Sequence, residues 1–287
     1  MPRDRHPPGS GPPSVTRRRV LQALAAGATL GASTTAYGYA VERHQVDEHE
    51  QSVPVAGLPP ALEGLRIGLL TDLHCSPSVP DSLIQAAVEA VTRAGPDLIV
   101  LGGDYVTRRE PGYRKHAERV AGYVAGLEAP YGVFAVLGNH DREPTVPRAL
   151  LRNRIQVLAD TRVTLHVRGE LLDLIGIRFR TRRLCEIAAI AAGAKGLPIL
   201  LAHDPRRLTQ AEELGIPLVL SGHTHGGQIV LPVLGAIAAH DSPTAAGLLV
   251  RGRTSLYVSR GIGTIYVPCR INCPPEAPVL RLRPASA

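Results

Sequence analysis

Ile67-Gly68-Leu69-Leu70-Thr71-Asp72-Leu73-His74 is a short apolar run that ends on an aspartate and a histidine. A continuous run of this kind fits a strand buried on both faces, as in a largely parallel sheet covered by helices. The pattern recurs four times. Leu98-Ile99-Val100-Leu101 runs into Gly102-Gly103-Asp104, and Phe134-Ala135-Val136-Leu137 into Gly138-Asn139-His140-Asp141. Ile199-Leu200-Leu201-Ala202 leads to His203-Asp204, and Leu218-Val219-Leu220-Ser221 to Gly222-His223-Thr224-His225. Five apolar strands thus deliver metal-ligand residue types at their carboxyl ends, where open α/β sheets build their sites.

Outward from these runs, the sequence predicts strands over 65–71, 98–101, 133–137, 171–177, 198–202 and 218–221. Helical patterns lie between them at 81–94, 115–127, 146–153, 183–192 and 205–214. Strands alternating with helices define an α/β class. Residues 64–287 suffice for one domain. Residues 41–63, polar and then punctuated by proline, read as a linker wrapping onto that domain.

The first forty residues read as a leader rather than as fold. Arg17-Arg18-Arg19 precedes an uncharged run over 23–40, a basic segment before an apolar one, and the twin arginine marks the export route for folded proteins. Gly38-Tyr39-Ala40 offers a small-residue cleavage site. The run has 18 residues diluted by Gly, Thr and Ser, against roughly 20 for a spanning helix, so cleavage and retention as an anchor are both open. The formal charge of +7 is mostly this leader: five arginines against Asp4 in residues 1–22 give +4, leaving +3 elsewhere. With aromatics at 3% and no Trp, neither a polyanion surface nor a base-stacking surface is expected, and no nucleic-acid partner is expected. The four cysteines do not form a zinc pattern. Cys269 and Cys273 can pair only if the chain turns between them; otherwise the four are idle thiols.

In an extended segment, residues two apart point the same way, so Asp72 can converge with His74, and His223 with His225. Adjacent glycines let the backbone turn sharply beside them. Asp, Asn and His donors suit Mn, Fe, Zn or Co. Any one of these motifs is as readily a surface or core feature. Together, so many buried polar groups would be costly without a cation to pair them.

The series Asp72-x-His74, Gly103-Asp104, Gly138-Asn139-His140-Asp141, His203 and Gly222-His223-x-His225 resembles the calcineurin-like metallophosphoesterases over residues 64–231. The run Gly222-His223-Thr224-His225-Gly226-Gly227-Gln228 and the tail Arg270-Ile271-Asn272-Cys273-Pro274-Pro275-Glu276 resemble an exported or membrane-linked branch of phosphodiesterases. The resemblance implies a β-sandwich of two mixed sheets flanked by helices. It implies one metal held by Asp72, His74, Asp104 and His225, and a second held by Asp104, Asn139, His203 and His223. A hydroxide between the two would attack phosphorus in line. His140 would assist the leaving group, with Asp141 orienting its imidazole. Two features depart from the pattern: Cys75-Ser76 where relatives often carry Gly, and Arg178, Arg180, Arg182 and Arg183 where many carry acids. Those arginines line an anionic entry path or form a solvated face.

The expected activity is therefore hydrolysis of a phosphoric ester, a diester or pyrophosphate in a lipid-linked or cell-wall molecule. Expected partners are the twin-arginine export machinery and the membrane surface. The alternatives are a soluble exported phosphomonoesterase, a metal-stabilised binding module without activity, and another dinuclear hydrolase such as an amidase or lactonase. A tether of roughly 20 flexible residues would give the site a reach of about 25 Å.

Overall fold

The computed structural model describes residues 16–239 and 241–285; Arg3 and Arg5, expected as part of a leader, lie outside them. In chain order, α1 (Arg17–Ala40) is followed by β1 (Glu50–Val55), β2 (Arg66–Leu70), α2 (Asp81–Ala94), β3 (Leu98–Leu101) and α3 (Tyr113–Val124). Then come β4 (Val133–Ala135), α4 (Thr145–Arg152), β5 (Gln156–Val157), β6 (Thr161–Val167), β7 (Glu170–Gly176) and α5 (Leu184–Ala191). The remainder is β8 (Leu197–Leu201), α6 (Leu208–Glu213), β9 (Leu218–Ser221), β10 (Val230–Leu231), β11 (Gly235–Ala236), β12 (Gly247–Arg251), β13 (Thr254–Val258) and β14 (Val279–Pro284).

Two six-stranded sheets pack face to face, in the orders β1-β14-β2-β3-β4-β5 and β12-β13-β9-β8-β7-β6. Both are mixed. β2, β3, β4 and β5 run parallel while β14 is antiparallel to β2. In the second sheet β7, β8, β9 and β13 run parallel, and β6 and β12 pair antiparallel at the edges. Strand alternation sorts the apolar side chains into layers. Ile67, Leu69, Val100 and Phe134 meet Leu172, Leu174, Ile199, Leu201, Leu218 and Leu220 between the sheets. Leu70, Ile99 and Leu101 face the other way, onto α2, α3 and α4. Ile175, Leu200 and Val219 lie under α5 and α6. Each Leu or Ile so buried contributes about 1.5–3 kcal/mol. The carboxyl ends of β2, β3 and β4 therefore open beside those of β8 and β9, along one edge of the sandwich.

The stretch expected as a linker wraps onto the domain as a strand. β1 pairs in parallel with β14 from Glu50↔Val279 to Val55↔Pro284, and Val53 and Val55 are fully buried. Asp47 N donates to Pro275 O at 2.8 Å, and Arg260 ion-pairs with Asp47. The free 20-residue tether is thereby removed. Its sequence concealed a strand because Pro54 is tolerated only at a sheet edge, where β1 lies. The cysteines are all unpaired: Cys75, Cys269 and Cys273 are buried and Cys185 is exposed. Among the described residues, no helix is long and apolar enough to cross a membrane.

Candidate metal centre

Four strand ends, those of β2, β3, β8 and β9, assemble two groups of ligand atoms. Asp72, His74 and His225 form one, and Asp104, His203 and His223 the other; within each group the ligand atoms lie within 4.8 Å of one another. Asp104 stands between them, with its Oδ2 3.6 Å from His74 Nε2 and 3.1 Å from His203 Nε2. Asp72 Oδ1 is 3.4 Å from His225 Nε2 and 3.9 Å from His203 Nε2. Asp72, His74, Asp104, His203 and His225 are all essentially buried.

The convergence does not come from strand alternation as expected. Asp72, His74, Asp104, His223 and His225 all have positive φ, between 43° and 75°. Such backbone costs a non-glycine residue about 1–2 kcal/mol, and it persists only where its surroundings enforce it. At Asp72 and His74, backbone from the C-terminal tail does so. Ile262 N donates to Thr71 O at 3.1 Å and Gly263 N to Asp72 O at 2.7 Å. The segment lies so close that a Cβ on Gly261 would stand 2.6 Å from Asp72 Cβ, and one on Gly263 2.6 Å from Leu73 O.

Several buried atoms fit a cation better than any protein partner. His74 Nε2 and His225 Nε2 face each other at 3.1 Å, while His74 Nδ1 lies 3.1 Å from Thr107 Oγ1. Burial first, then neighbouring positive groups, push both imidazoles down to about 3, so both carry free lone pairs at neutral pH. Asn139 Oδ1 is buried without a hydrogen-bond partner, and His203 Nε2 has only the Asp104 carboxylate within hydrogen-bond reach, at 3.1 Å. Burial alone would lower His203, but the carboxylates of Asp104 and Asp72 raise it to about 10; a cation bound there displaces that proton. Burial alone would raise Asp104, but His203 beside it holds its carboxyl well below the usual range. The donor set suits a divalent cation.

His140 is oriented differently from the expectation. Its Nδ1 accepts the backbone N–H of Arg108 at 3.1 Å, so in the neutral ring Nε2 carries the proton. Asp141 does not touch that imidazole. Its carboxylate accepts the backbone N–H groups of Gly138 (2.8 Å), Asp104 (2.8 Å) and Tyr105 (3.0 Å). Burial and the adjacent Asp104 push it up to about 7 against those donors. Asp141 thus staples the β4 turn to the Asp104 loop, because Asp104 Oδ1 in return accepts His140 N at 2.7 Å.

The roles of four residues escaped the sequence reading, although Gln228 and Arg270 stand in the runs quoted for the resemblance. Phe179 packs its ring 5.2 Å from His223 and 6.0 Å from His203; its place just after β7, beside β8, was the available signal. Thr107 contacts His74. Gln228 clamps the loop after Gly263, its Nε2 donating to Ile265 O and Val267 O at 3.1 Å each. Arg270, fully buried, donates to Cys273 O, Arg260 O, Gly261 O and Gly263 O at 2.6–3.1 Å. Two cavities flank the centre. One, of about 590 Å³, is lined by Arg108, Arg109, His140, Ile265, Tyr266 and Pro268. The other, of about 810 Å³, is lined by Asn139, Arg142, Arg178, Phe179, Arg180 and Arg182. The arginine run therefore reaches a cavity beside the centre, although Arg178 is engaged by Glu143 and Asp160.

A mixed-sheet sandwich with paired Asp/His groups at its strand ends defines the class of metal-dependent phosphoester hydrolases. The profile of the calcineurin-like phosphoesterases matches residues 65–227, and the chain belongs to that family. It is 30% identical over 286 residues to phosphodiesterase YaeI of Escherichia coli, covering 93% of this chain and 99% of that protein. Metallophosphoesterase YkuE of Bacillus subtilis is 29% identical, with 94% of this chain and 98% of YkuE covered. UDP-2,3-diacylglucosamine pyrophosphatase LpxG of Chlamydia trachomatis is 26% identical, with 77% and 84% covered. The chain is accordingly a hydrolase of phosphoester bonds.

Proposed function

We propose that the protein is a dinuclear phosphodiesterase or pyrophosphatase acting on a lipid-linked or cell-envelope substrate after export by its twin-arginine leader. The observation that carries the dinuclear reading is the place of Asp104 Oδ2, within 3.6 Å of an imidazole nitrogen of each ligand group. A carboxylate so shared would serve both of two cations. Asp72, His74, Asp104 and His225 would hold the first, and Asp104, Asn139, His203 and His223 the second. When bound, Mn, Fe, Zn or Co ions supply neutralisation of phosphoryl charge and activation of water.

The chain's own groups do the rest. His140, with its proton placed on Nε2 by Arg108 N–H, donates to the leaving oxygen. Asp141 keeps the Asp104 and Asn139 turns in register. The two cavities favour a substrate with an arm on each side of phosphorus, one along Ile265, Tyr266 and Pro268 and one along the arginines. A monoester has only one such arm. The activities of YaeI and LpxG, a phosphodiesterase and a diacylated sugar-nucleotide pyrophosphatase, point the same way. The test is a panel of monoesters, diesters and pyrophosphates assayed with each of the four metals. Diester or pyrophosphate kcat/KM above that of every monoester supports the reading; a preference for nucleotide monoesters refutes it, and no turnover with any metal leaves only a binding module.

A further inference from the structure

Beyond the leader helix and Val41, eight large apolar side chains are exposed among the described residues, and five of them cluster on two loops. Val233 (105% exposed), Leu234 (73%) and Ile237 (48%) sit on or beside the β10–β11 turn, and Tyr266 (95%) and Val267 (52%) on the loop after Gly263. The two loops share one root. The Gln228 side chain holds Ile265 and Val267, its backbone carbonyl accepts Ile271 N at 2.9 Å, and Ile271 O accepts Val230 N at 2.9 Å. Between them, Ile265, Tyr266 and Gln228 line the mouth of the metal centre together with His140, His223 and His225.

Neither loop tip is explained by packing. Val233 and Tyr266 also have positive φ, 73° and 61°, which is unfavourable for a β-branched or bulky residue. Strain and exposure fall on the same apolar residues, beside the site. The other lip of the mouth carries exposed Arg108 and Arg109. The last turn of α1 lands at the same root: Gly38 O accepts Arg270 N at 3.2 Å, and a Cβ on Gly38 would meet Ile271 Cγ1 at 2.8 Å. That helix exposes Val20, Leu21, Leu24, Leu30, Tyr37 and Tyr39. Apolar tips and an aromatic ring on one lip of the mouth, arginines on the other and a helix with exposed apolar side chains at their root match the headgroup boundary of an anionic bilayer.

We infer that the β10–β11 turn and the loop carrying Tyr266 insert into an anionic membrane surface and hold the metal centre against it. A lipid-borne phosphoester then reaches the centre past Tyr266 without leaving the bilayer. The inference rests on the proposed lipid-linked substrate, but its test reads docking separately from activity. The full-length, metal-loaded chain is sedimented with vesicles of phosphatidylglycerol and phosphatidylcholine, and with phosphatidylcholine alone. Val233→Ser/Leu234→Ser is expected to bind the anionic vesicles about 10- to 100-fold more weakly while hydrolysing the water-soluble bis(p-nitrophenyl) phosphate as the parent does. Because the chain has no Trp, Leu234→Trp supplies one clean reporter, expected to shift its emission to the blue on the anionic vesicles. Unchanged vesicle binding of the double variant, or an indole emission that does not move in the Leu234→Trp variant, overturns the inference and leaves α1 as the sole contact. A double variant that dissociates a dimer yet keeps its vesicle affinity overturns it too, and assigns the tips to a second copy. Inactivity of the parent on the soluble diester would count against the proposed function alone.

Discussion

Removing the Arg270 guanidinium tests whether the C-terminal tail builds the metal centre. Among the described residues Arg270 makes no ion pair; its charge is held by four backbone carbonyls, of Cys273, Arg260, Gly261 and Gly263. Burial pushes it down from its ordinary value. Arg270→Met removes all four hydrogen bonds and leaves the carbonyls of Cys273, Arg260 and Gly263 without a donor, while Gly261 O still accepts Glu276 N at 3.2 Å. At about 1 kcal/mol net for each hydrogen bond the loss approaches about 4 kcal/mol. Relief of a buried, unpaired charge offsets part of it, leaving about 2–4 kcal/mol. At roughly 2–4 °C per kcal/mol for a chain of this size, Tm falls by about 5–15 °C. The functional consequence is distinct. Arg270 grips the segment that Gly261 and Gly263 press against Asp72 and His74, so its loss frees those ligands from their left-handed backbone. Affinity for the first cation should drop about 10- to 100-fold, as for outer partners of metal ligands generally. Arg270→Lys should recover part of the stability, because one ammonium can serve some of the carbonyls but lacks the planar fork. The assays are a thermal melt of chelated protein and a metal titration. An Arg270→Met variant that melts within about 2 °C of the parent and binds metal equally well would refute the bracing role.

Asp104→Asn should lower metal content toward one ion or none and abolish nearly all turnover; full occupancy with near-normal rates would break the bridging assignment. His140→Ala should keep both metals and lose about 10²–10⁴ in rate on alkyl leaving groups, with a smaller loss on nitrophenolate. Equal losses on both would contradict the proton donor. Arg17→Lys with Arg18→Lys should strand the protein in the cytoplasm, as read by fractionation; undiminished export would show the leader is read by another route.

What the sequence disclosed follows from burial. β2, β3, β4, β8 and β9 are covered on both faces, so they read as apolar runs, as does β7 apart from the buried Asp173, and α2 was bounded as expected. The edge strands were silent. β14 alternates as Val279-Leu280-Arg281-Leu282-Arg283-Pro284, and β1 begins Glu50-Gln51-Ser52 and contains Pro54. Such strands carry their reason for existing in a partner strand more than 200 residues away. The ligand types were legible because each sits at a strand end. Their left-handed backbone was not, since at Asp72 and His74 it is imposed by Gly261 and Gly263, which approach only in three dimensions. The role of Asp141 was misread for a related reason: adjacency to His140 in sequence suggested contact with its ring, whereas the turn aims the carboxylate at backbone N–H groups.

The charge arrangement of the centre makes stability depend jointly on metal and pH. In chelated protein, His74 and His225 titrate near 3 when folded and near 6.5 when unfolded. Between those values the unfolded chain binds more protons, so stability rises with pH. Asp141, raised to about 7, opposes this above its unfolded value of about 3.9, and two histidines outweigh one carboxyl. His203 has the opposite sign. With a folded value of about 10, it contributes stability below its unfolded value of 6.5 that is lost as pH rises toward 10. Chelated protein should therefore be most stable near about pH 6.5–7, with Tm falling on both sides. A cation replaces the His203 proton, so loaded protein should lose the alkaline fall, and metal affinity should climb between about pH 6.5 and 10. At a metal concentration about 100 times Kd, binding adds about 2.7 kcal/mol. Melting curves from about pH 4 to 10, with chelator and with Mn, decide the matter. Parallel profiles in the two series would mean that His203 does not exchange a proton for the metal, and would remove it from the ligand set.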